Sequence, residues 1–268
     1  MIADYKSTID GLSIFYRIAG DENNQPIIFL HGWGARIDSF GPYVGTTGVI
    51  KELAKHFYVF APELPGLLRS DAPKVVWNYE QFAEIIYKLA NLLSWKPSIV
   101  IGQSFGGGVA TAFAKSYPNF TKVLVIVDSV VSNRPKNSYL KLLYAWAKFR
   151  KKTFPSPFVP KLIKKLLINL YFGTPMKFID DKNINDKIIM GDVDLTRNLV
   201  VDYNQLKTPL IIVWGDKDTW VTPISRAKEI HNEVQGSKLI VEEGGHSVLY
   251  LKPKVVIGDI LKALPKNP

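Results

Sequence analysis

The sequence contains no cysteine. Disulfide bonds, thiolate metal sites and a cysteine nucleophile are therefore excluded, and a reducing compartment is the expected environment. The chain also lacks a run of about 18 uncharged apolar residues, the length that a membrane-spanning helix needs. Its first residues mix aspartates with short apolar stretches, unlike the basic and then apolar order of a signal peptide. We expect a cytoplasmic protein with no stable insertion into a membrane.

Acidic residues are missing from one part of the chain. Between Arg134 and Lys165 there are ten Lys or Arg residues and no Asp or Glu, an excess equal to the formal net charge of +10 of the whole sequence. Solvated basic faces of helices account for this excess, and an anionic partner or membrane surface is the alternative. The segment has no zinc-ligand, helix-turn-helix or RNA-binding aromatic pattern, so we expect no nucleic acid partner.

The remainder of the sequence alternates between strand-like and helical stretches. A hairpin is predicted over 4–18, with the turn pair Asp10 and Gly11 between its strands. Continuous apolar runs predict buried strands within 26–34, 57–64, 98–104, 122–129, 209–216 and 238–246, and helical periodicity predicts helices at 78–95, 106–118 and 224–235. This order is typical of an α/β protein with a doubly wound parallel sheet.

The alternation breaks at 132–202, where helical patterns occur without a strand. We therefore predict a core domain from 1–131 and 203–268, with a helical cap, or lid, inserted at 132–202. Apolar residues of the insertion, among them Leu142, Trp146 and Phe149, are predicted to cover the mouth of the sheet. A hydrophobic small-molecule substrate is the expected partner.

The stretch GQSFGGG places Ser104 between Gly102 and Gly106, after a predicted strand and before a predicted helix. This context is that of a nucleophile elbow, in which a sharp turn exposes a serine hydroxyl at the end of a strand. The glycines also suit close packing of the strand and the helix, or a phosphate-binding turn. The Gly-Lys-Ser/Thr ending of a P-loop is absent, however, and the spacing does not match a dinucleotide fingerprint.

A serine nucleophile needs a base, and the chain offers four histidines. His56 and His231 lie within or at the end of predicted helices, where surface roles are expected. His31 follows an early strand and is a candidate for orienting a loop. His246 follows the last predicted strand, at the edge of the sheet where ligands bind in open α/β proteins, so we predict it to be the base.

The imidazole needs a carboxylate to fix its tautomer. Asp218 follows the preceding strand and gives the chain order serine, acid, histidine. Two rivals remain at this stage. Asp128 ends the strand before the insertion and has access to the same edge, whereas Asp216 is better suited to forming a turn.

Four motifs together resemble the α/β-hydrolase superfamily, particularly its lidded serine esterases and carbon–carbon bond hydrolases. They are HGWG at 31–34, GQSFGG at 102–107, WGDKD at 214–218 and GGH at 244–246, and the resemblance extends over nearly the whole chain. It implies an eight-stranded, mostly parallel sheet flanked by helices, with a helical lid after the sixth strand. It also implies that the nucleophile, acid and base are Ser104, Asp218 and His246.

The same resemblance implies an oxyanion hole made by the backbone N–H groups of Trp33 and Phe105. Their side chains are then free to shape the pocket, for which His31, Gly32 and Trp220 are further candidates. No metal and no cofactor is expected. In the loop PELPGLLRS the chain departs from the family pattern Asp-x-x-Gly-x-Gly-x-Ser, because Glu63 and Leu68 stand where the Asp and the second Gly are expected.

The resemblance implies a serine hydrolase, most simply a carboxylesterase, that cleaves a hydrophobic ester or related acyl compound through an acyl-enzyme. A serine nucleophile argues against the haloalkane dehalogenase and epoxide hydrolase branches, which attack through a carboxylate. Two alternatives stay open. One is a non-hydrolytic protein of the same fold, such as a lyase, a cofactor-free oxygenase or a ligand receptor. The other is a protein that binds anionic surfaces through its basic lid.

Overall fold

A computed structural model describes residues 1–33, 35–38, 45–75, 77–129, 160–172, 203, 205–219 and 222–266. Eight strands are present: β1 (Ile2–Ile9), β2 (Leu12–Ala19), β3 (Pro26–Leu30), β4 (Tyr58–Pro62), β5 (Ser98–Gln103), β6 (Thr121–Val127), β7 (Leu210–Gly215) and β8 (Lys238–Glu242). The described helices are α1 (Thr46–Leu53), α2 (Tyr79–Leu92), α3 (Phe105–Ser116), α4 (Lys161–Phe172), α5 (Ile224–Glu233), α6 (Val248–Leu251) and α7 (Pro253–Ala263).

All eight strands form one sheet in the order β1-β2-β4-β3-β5-β6-β7-β8. Strand β2 runs antiparallel to its neighbours β1 and β4, whereas the pairs from β4 to β8 are parallel. The mostly parallel, eight-stranded sheet flanked by helices is thus confirmed. Because β3 and β5 to β8 are parallel, their carboxyl ends meet at one edge of the sheet, where the loops that follow them are brought together.

Both faces of the sheet are covered, which explains why its central strands are apolar without alternation. In β3, Ile28 and Leu30 pack in the core that contains α2 and α3, whereas Ile27 and Phe29 pack in the core that contains α1 and α7. Every residue of β5 is buried. The central strands are therefore fixed from two sides, which holds the loops at their carboxyl ends in place.

The first two strands form the predicted hairpin. Ile9 pairs with Leu12, and the two residues between them, Asp10 and Gly11, have φ angles of 48° and 78°. Positive φ at both central positions defines the type I′ turn, whose twist matches that of the strands, and Asp-Gly is one of its preferred pairs.

The predicted insertion at 132–202 lies mostly outside the described residues. Within it the structure describes 160–172, which contain helix α4. Leu142, Trp146 and Phe149, the predicted cover of the sheet, lie outside the described ranges. Among the helices that the structure describes, none combines the length and the apolar character needed to cross a membrane.

The loop after β4 contains both departures from the family pattern. Leu68 is fully buried and has a φ angle of 48°, so a leucine adopts the left-handed conformation that glycine adopts more easily. That conformation costs roughly 1–2 kcal/mol for a residue with a side chain. Burial of a leucine contributes about 1.5–3 kcal/mol, which offsets this cost.

Glu63, the other departure, is the centre of a buried ionic cluster. Its side chain is 1% exposed and accepts hydrogen bonds from Arg69 Nε, Nη2 and backbone N at 2.6–2.9 Å. Arg17 Nη2, on β2, lies 3.7 Å from the same carboxylate and donates to Thr46 Oγ1 at the start of α1. The cluster therefore ties together the antiparallel edge of the sheet, the loop after β4 and α1.

We predict that Glu63→Gln lowers the free energy of unfolding by about 3 kcal/mol, because it removes the buried counter-charge of Arg17 and Arg69 and leaves them only the exposed carboxylate of Asp4. Urea denaturation of the variant and the wild type measures the change. Glu243→Gln is the matched control, since Glu243 also pairs with a cation, Lys217, but is 73% exposed. Equal losses in the two variants would contradict a special role for the buried cluster.

Candidate active site

Ser104 occupies the sharp turn between β5 and α3. Its φ and ψ angles of 51° and −119° are sparsely populated, and its backbone N–H donates to Val127 O at 2.9 Å on the neighbouring strand. Such a strained backbone persists only where its surroundings hold it in place. The arrangement is that of a nucleophile elbow, with the serine at the carboxyl end of β5 and the N-terminus of α3.

The two flanking glycines are required by close approach of the backbone. A Cβ atom on Gly106 would lie 2.3 Å from Leu30 O, and one on Gly102 would lie 2.3 Å from Gly106 O. Both distances are far below a van der Waals contact, and both involve main-chain atoms that a rotamer change cannot move. Helix α3 therefore begins directly against the strands only because these positions lack side chains.

The structure brings the three predicted residues into one hydrogen-bonded line. Ser104 Oγ lies 2.8 Å from His246 Nε2, and His246 Nδ1 lies 2.7 Å from Asp218 Oδ2. A carboxylate cannot donate, so Nδ1 carries the proton and Nε2 accepts from the serine hydroxyl. The imidazole is partly exposed at 21%, whereas the Asp218 side chain is 1% exposed. The line thus runs from a buried anion to a hydroxyl at the edge of the sheet where the parallel strands have their carboxyl ends.

Hydrogen bonding keeps Asp218 ionised. Burial by itself raises the pKa of this carboxyl, but the hydrogen bond and charge of His246, together with hydrogen bonds from Thr222, hold the pKa below its ordinary value. An ionised carboxylate in this place fixes the imidazole tautomer and favours the positive charge that forms when the imidazole takes a proton.

The two rival acids make other contacts. Asp128 Oδ1 accepts from Gly215 N at 2.8 Å, and its fully buried side chain has a pKa that burial raises to about 8, with the nearby charge of Asp218 adding to the effect. Asp216 Oδ1 accepts from Gly244 N at 2.9 Å and so links the loops that follow β7 and β8. Asp128 is therefore a buried acid that is mainly neutral at pH 7, whereas Asp216 lies in the turn after β7 and bonds across to the loop after β8.

The residues predicted for the oxyanion hole lie side by side. Phe105 is the first residue of α3, where a backbone N–H has no partner within the helix. The rings of Trp33 and Phe105 pack edge to face with centroids 5.5 Å apart. Phe105 is buried among Tyr79 and Phe82 at centroid distances of 5.3 Å, so its side chain belongs to the core.

Of the further pocket candidates, His31 and Gly32 are described, and Trp220 lies outside the described residues. His31 is buried; its Nε2 accepts from Leu64 N at 3.1 Å, and its Nδ1 lies 2.9 Å from Gly32 O. Burial lowers the pKa of His31, which favours the neutral form that can accept and donate in this way. These contacts suit the loop-orienting role considered for His31.

Three residues that the sequence analysis did not single out hold the site together. Gln103 Nε2 donates to the His246 carbonyl at 3.0 Å, and Gly32 N donates to Tyr250 Oη at 3.1 Å. Thr222 contacts Asp218 through both its hydroxyl and its backbone. The one sequence signal is proximity, because Gln103 directly precedes Ser104, and Thr222 and Tyr250 follow Asp218 and His246 by four positions.

Across the described residues, His, Asp and Glu side chains form no group of three or more with an arrangement suited to a metal ion.

The sequence of this chain is similar to those of known proteins. The sequence profile of the alpha/beta hydrolase fold matches residues 25–162. An uncharacterised protein of Mycobacterium tuberculosis is 27% identical, over 89% of this chain and 74% of its own length. Lipase 1 of Psychrobacter immobilis is 24% identical, over 88% of this chain and 75% of its own length.

A solved structure shares the architecture. It is an alpha/beta hydrolase enzyme, MGS-M2, from a deep-sea metagenome library, which superposes with a TM-score of 0.74 over 98% of this chain and 99% of its own, at 21% sequence identity. At this identity the likeness bears on the fold alone. The profile match spans half of the chain, and the sheet order and the elbow agree with it. This chain therefore belongs to the alpha/beta hydrolase fold family.

Proposed function

We propose that the protein is a serine hydrolase that cleaves carboxylic esters through an acyl-enzyme intermediate. The observation that carries the proposal is the continuous line from Ser104 Oγ through the His246 ring to Asp218 Oδ2, with distances of 2.8 and 2.7 Å. Both distances are within the range for direct proton transfer or a charge-assisted hydrogen bond. The names of relatives such as Lipase 1 are consistent with ester hydrolysis.

In the first half-reaction Ser104 Oγ attacks the carbonyl carbon of the ester while its proton passes to His246 Nε2. The resulting imidazolium is stabilised by Asp218 through the Nδ1–H hydrogen bond. When the tetrahedral intermediate collapses, the bond to the leaving alkoxy group breaks, and Nε2 returns the proton to that oxygen. An alcohol leaves, and the acyl group stays on Ser104.

In the second half-reaction a water molecule replaces the alcohol. His246 Nε2 takes a proton from the water as its oxygen attacks the acyl carbon, and the same proton then returns to Ser104 Oγ as the ester bond to the enzyme breaks. The carboxylic acid is released, and the serine, the imidazole and the carboxylate return to their starting protonation states. The cycle consumes one water and needs no other reactant.

In both half-reactions negative charge develops on the carbonyl oxygen. We assign its stabilisation to the backbone N–H groups of Trp33 and Phe105. The position of Phe105 at the N-terminus of α3 supports this assignment, because the positive end of the helix dipole favours an anion there. One such donor contributes on the order of a hundredfold to a thousandfold in rate.

For the substrate we propose a predominantly hydrophobic ester. A partly exposed aromatic side chain lies next to the nucleophile: Trp33, whose ring packs on Phe105, the residue that follows Ser104. An apolar surrounding with a few polar groups is usual for sites that bind small apolar molecules.

We predict that Ser104→Ala lowers kcat for p-nitrophenyl butyrate by about a thousandfold or more, because it removes the hydroxyl that forms the acyl-enzyme. Ser98→Ala is the matched control. It makes the same change in the same strand, but at the opposite end of β5, where the hydroxyl donates only to Lys96 O among the described contacts. Turnover by Ser104→Ala at the wild-type rate would rule out the proposed mechanism.

The choice of acid has its own test. Asp218→Asn should lower kcat by about four orders of magnitude, since an amide favours the wrong imidazole tautomer. Asp128→Asn should keep kcat within about tenfold, because a neutral side chain replaces a carboxyl that is itself neutral at pH 7. Steady-state kinetics on the same ester measures both. Loss of activity in Asp128→Asn alone would make Asp128 the acid instead.

The pKa of Asp128 predicts a pH-dependent stability. The folded protein keeps this proton up to about pH 8, whereas the unfolded chain releases it near the ordinary value of 3.8. The wild type therefore loses stability, relative to Asp128→Asn, as the pH rises between these two values, at up to about 1.4 kcal/mol per pH unit. Urea denaturation of both proteins from pH 4 to pH 8 measures the difference, and a pH-independent difference would contradict the buried, neutral carboxyl.

A further inference from the structure

Thr222 makes two hydrogen bonds to Asp218, the proposed acid. Its Oγ1 donates to Asp218 Oδ2 at 2.7 Å, and its backbone N–H donates to Asp218 Oδ1 at 3.2 Å. One residue therefore holds both carboxylate oxygens. Since rotation about the bond to the carboxylate would break both hydrogen bonds, the plane of that group is fixed.

The hydroxyl also borders the imidazole. Thr222 Oγ1 lies 3.3 Å from His246 Nδ1, while Asp218 Oδ2 lies 2.7 Å from both of these atoms. The three atoms form a triangle in which the hydroxyl proton points to the carboxylate, leaving an oxygen lone pair for the Nδ1–H. The His246 ring thus has the carboxylate as its main acceptor and the hydroxyl beside it.

Thr222 is itself held from the sheet. Trp214, a fully buried residue of β7, donates its indole Nε1–H to Thr222 O at 2.7 Å. Thr222 Oγ1 also lies 3.3 Å from the carbonyl oxygen of Asp128, at the end of β6. The side chain is buried, so water does not replace these contacts. The indole of β7 therefore holds the backbone that carries the hydroxyl, and the single hydroxyl proton goes to the nearer acceptor, Asp218 Oδ2, and not to Asp128 O.

We propose that Thr222 is a positioning residue for the reaction, which holds the Asp218 carboxylate in the orientation that receives the His246 Nδ1–H. This inference rests on the proposed serine hydrolase function. Thr222 touches no reacting atom and acts through Asp218. Its hydroxyl keeps the carboxylate ionised and aligned, so its loss weakens the stabilisation of the imidazolium in the transition state and leaves substrate binding unchanged.

The test compares Thr222→Val, which removes the hydroxyl but keeps the shape and the backbone N–H, with Thr222→Ser, which keeps the hydroxyl. We expect Thr222→Val to lower kcat by about tenfold to a hundredfold, the effect of losing a hydrogen bond to a charged group. KM should change by less than about threefold, and Thr222→Ser should restore kcat to within about threefold of the wild type.

Thr121→Val is the matched control. Thr121 is also buried, and its hydroxyl bonds to a carbonyl, Tyr117 O, at 3.2 Å, but it lies at the start of β6, at the opposite edge of the sheet. A purely structural loss would lower the melting temperature of both valine variants without separating their kcat values. If Thr222→Val does not fold, Thr222→Ala serves instead. It removes the same hydroxyl and does not add the methyl group that valine places there.

A readout without substrate separates this inference from the proposed function. The proton nuclear magnetic resonance signal of the His246 Nδ1–H should shift in Thr222→Val and stay in place in Thr121→Val. If the wild type hydrolyses no ester but this shift occurs, the proposed function fails and the positioning role holds. Unchanged kcat and an unchanged signal in Thr222→Val, or equal losses of kcat in the valine and serine variants, would overturn the inference.

Discussion

A 2.8 Å hydrogen bond between the Ser104 hydroxyl and the His246 imidazole joins positions that are 142 residues apart in the chain. Several other features of the site hold these two side chains in place. The parallel strands bring the loops after β5, β7 and β8 to one edge, and the glycines around Ser104 let α3 start against the strands. Gln103 ties the His246 backbone to the elbow itself. A shift of about 1 Å in any of these loops would separate the proposed nucleophile from the proposed base.

Much of this arrangement can be predicted from the sequence, because its physical causes are local. Strands buried on two faces are continuously apolar, so β5, β6 and β7 stand out by composition alone. The Asp10-Gly11 turn follows from the positive φ angles that its type demands. The elbow is also recognisable in the sequence. Gly102 and Gly106 lie where the backbones of β5, α3 and β3 approach too closely for a side chain. The motifs around these elements suffice for the fold and for the predicted nucleophile, base and acid.

Other features of the site cannot be predicted from the sequence, because they depend on how the loops fold and meet. Asp128 and Asp218 both follow strands that end at the site, and only the path of each loop decides which carboxylate faces the imidazole. The proposed roles of Thr222 and Tyr250 cannot be derived from a sequence motif, because each depends on hydrogen bonds that only the folded loops create. The buried pairing of Glu63 with Arg69 likewise depends on the fold of one irregular loop, in which Leu68 takes a conformation usually left to glycine.

The central claim is that Ser104 is a nucleophile activated by His246, and covalent labelling tests it most directly. A fluorophosphonate reacts with an activated serine and not with an ordinary hydroxyl, because only a nearby base removes the proton at neutral pH. Mass spectrometry of the digested, labelled protein should locate one adduct on the peptide that contains Ser104, and His246→Ala should abolish it. An adduct on another residue, or no adduct on the folded wild-type protein, would contradict the account.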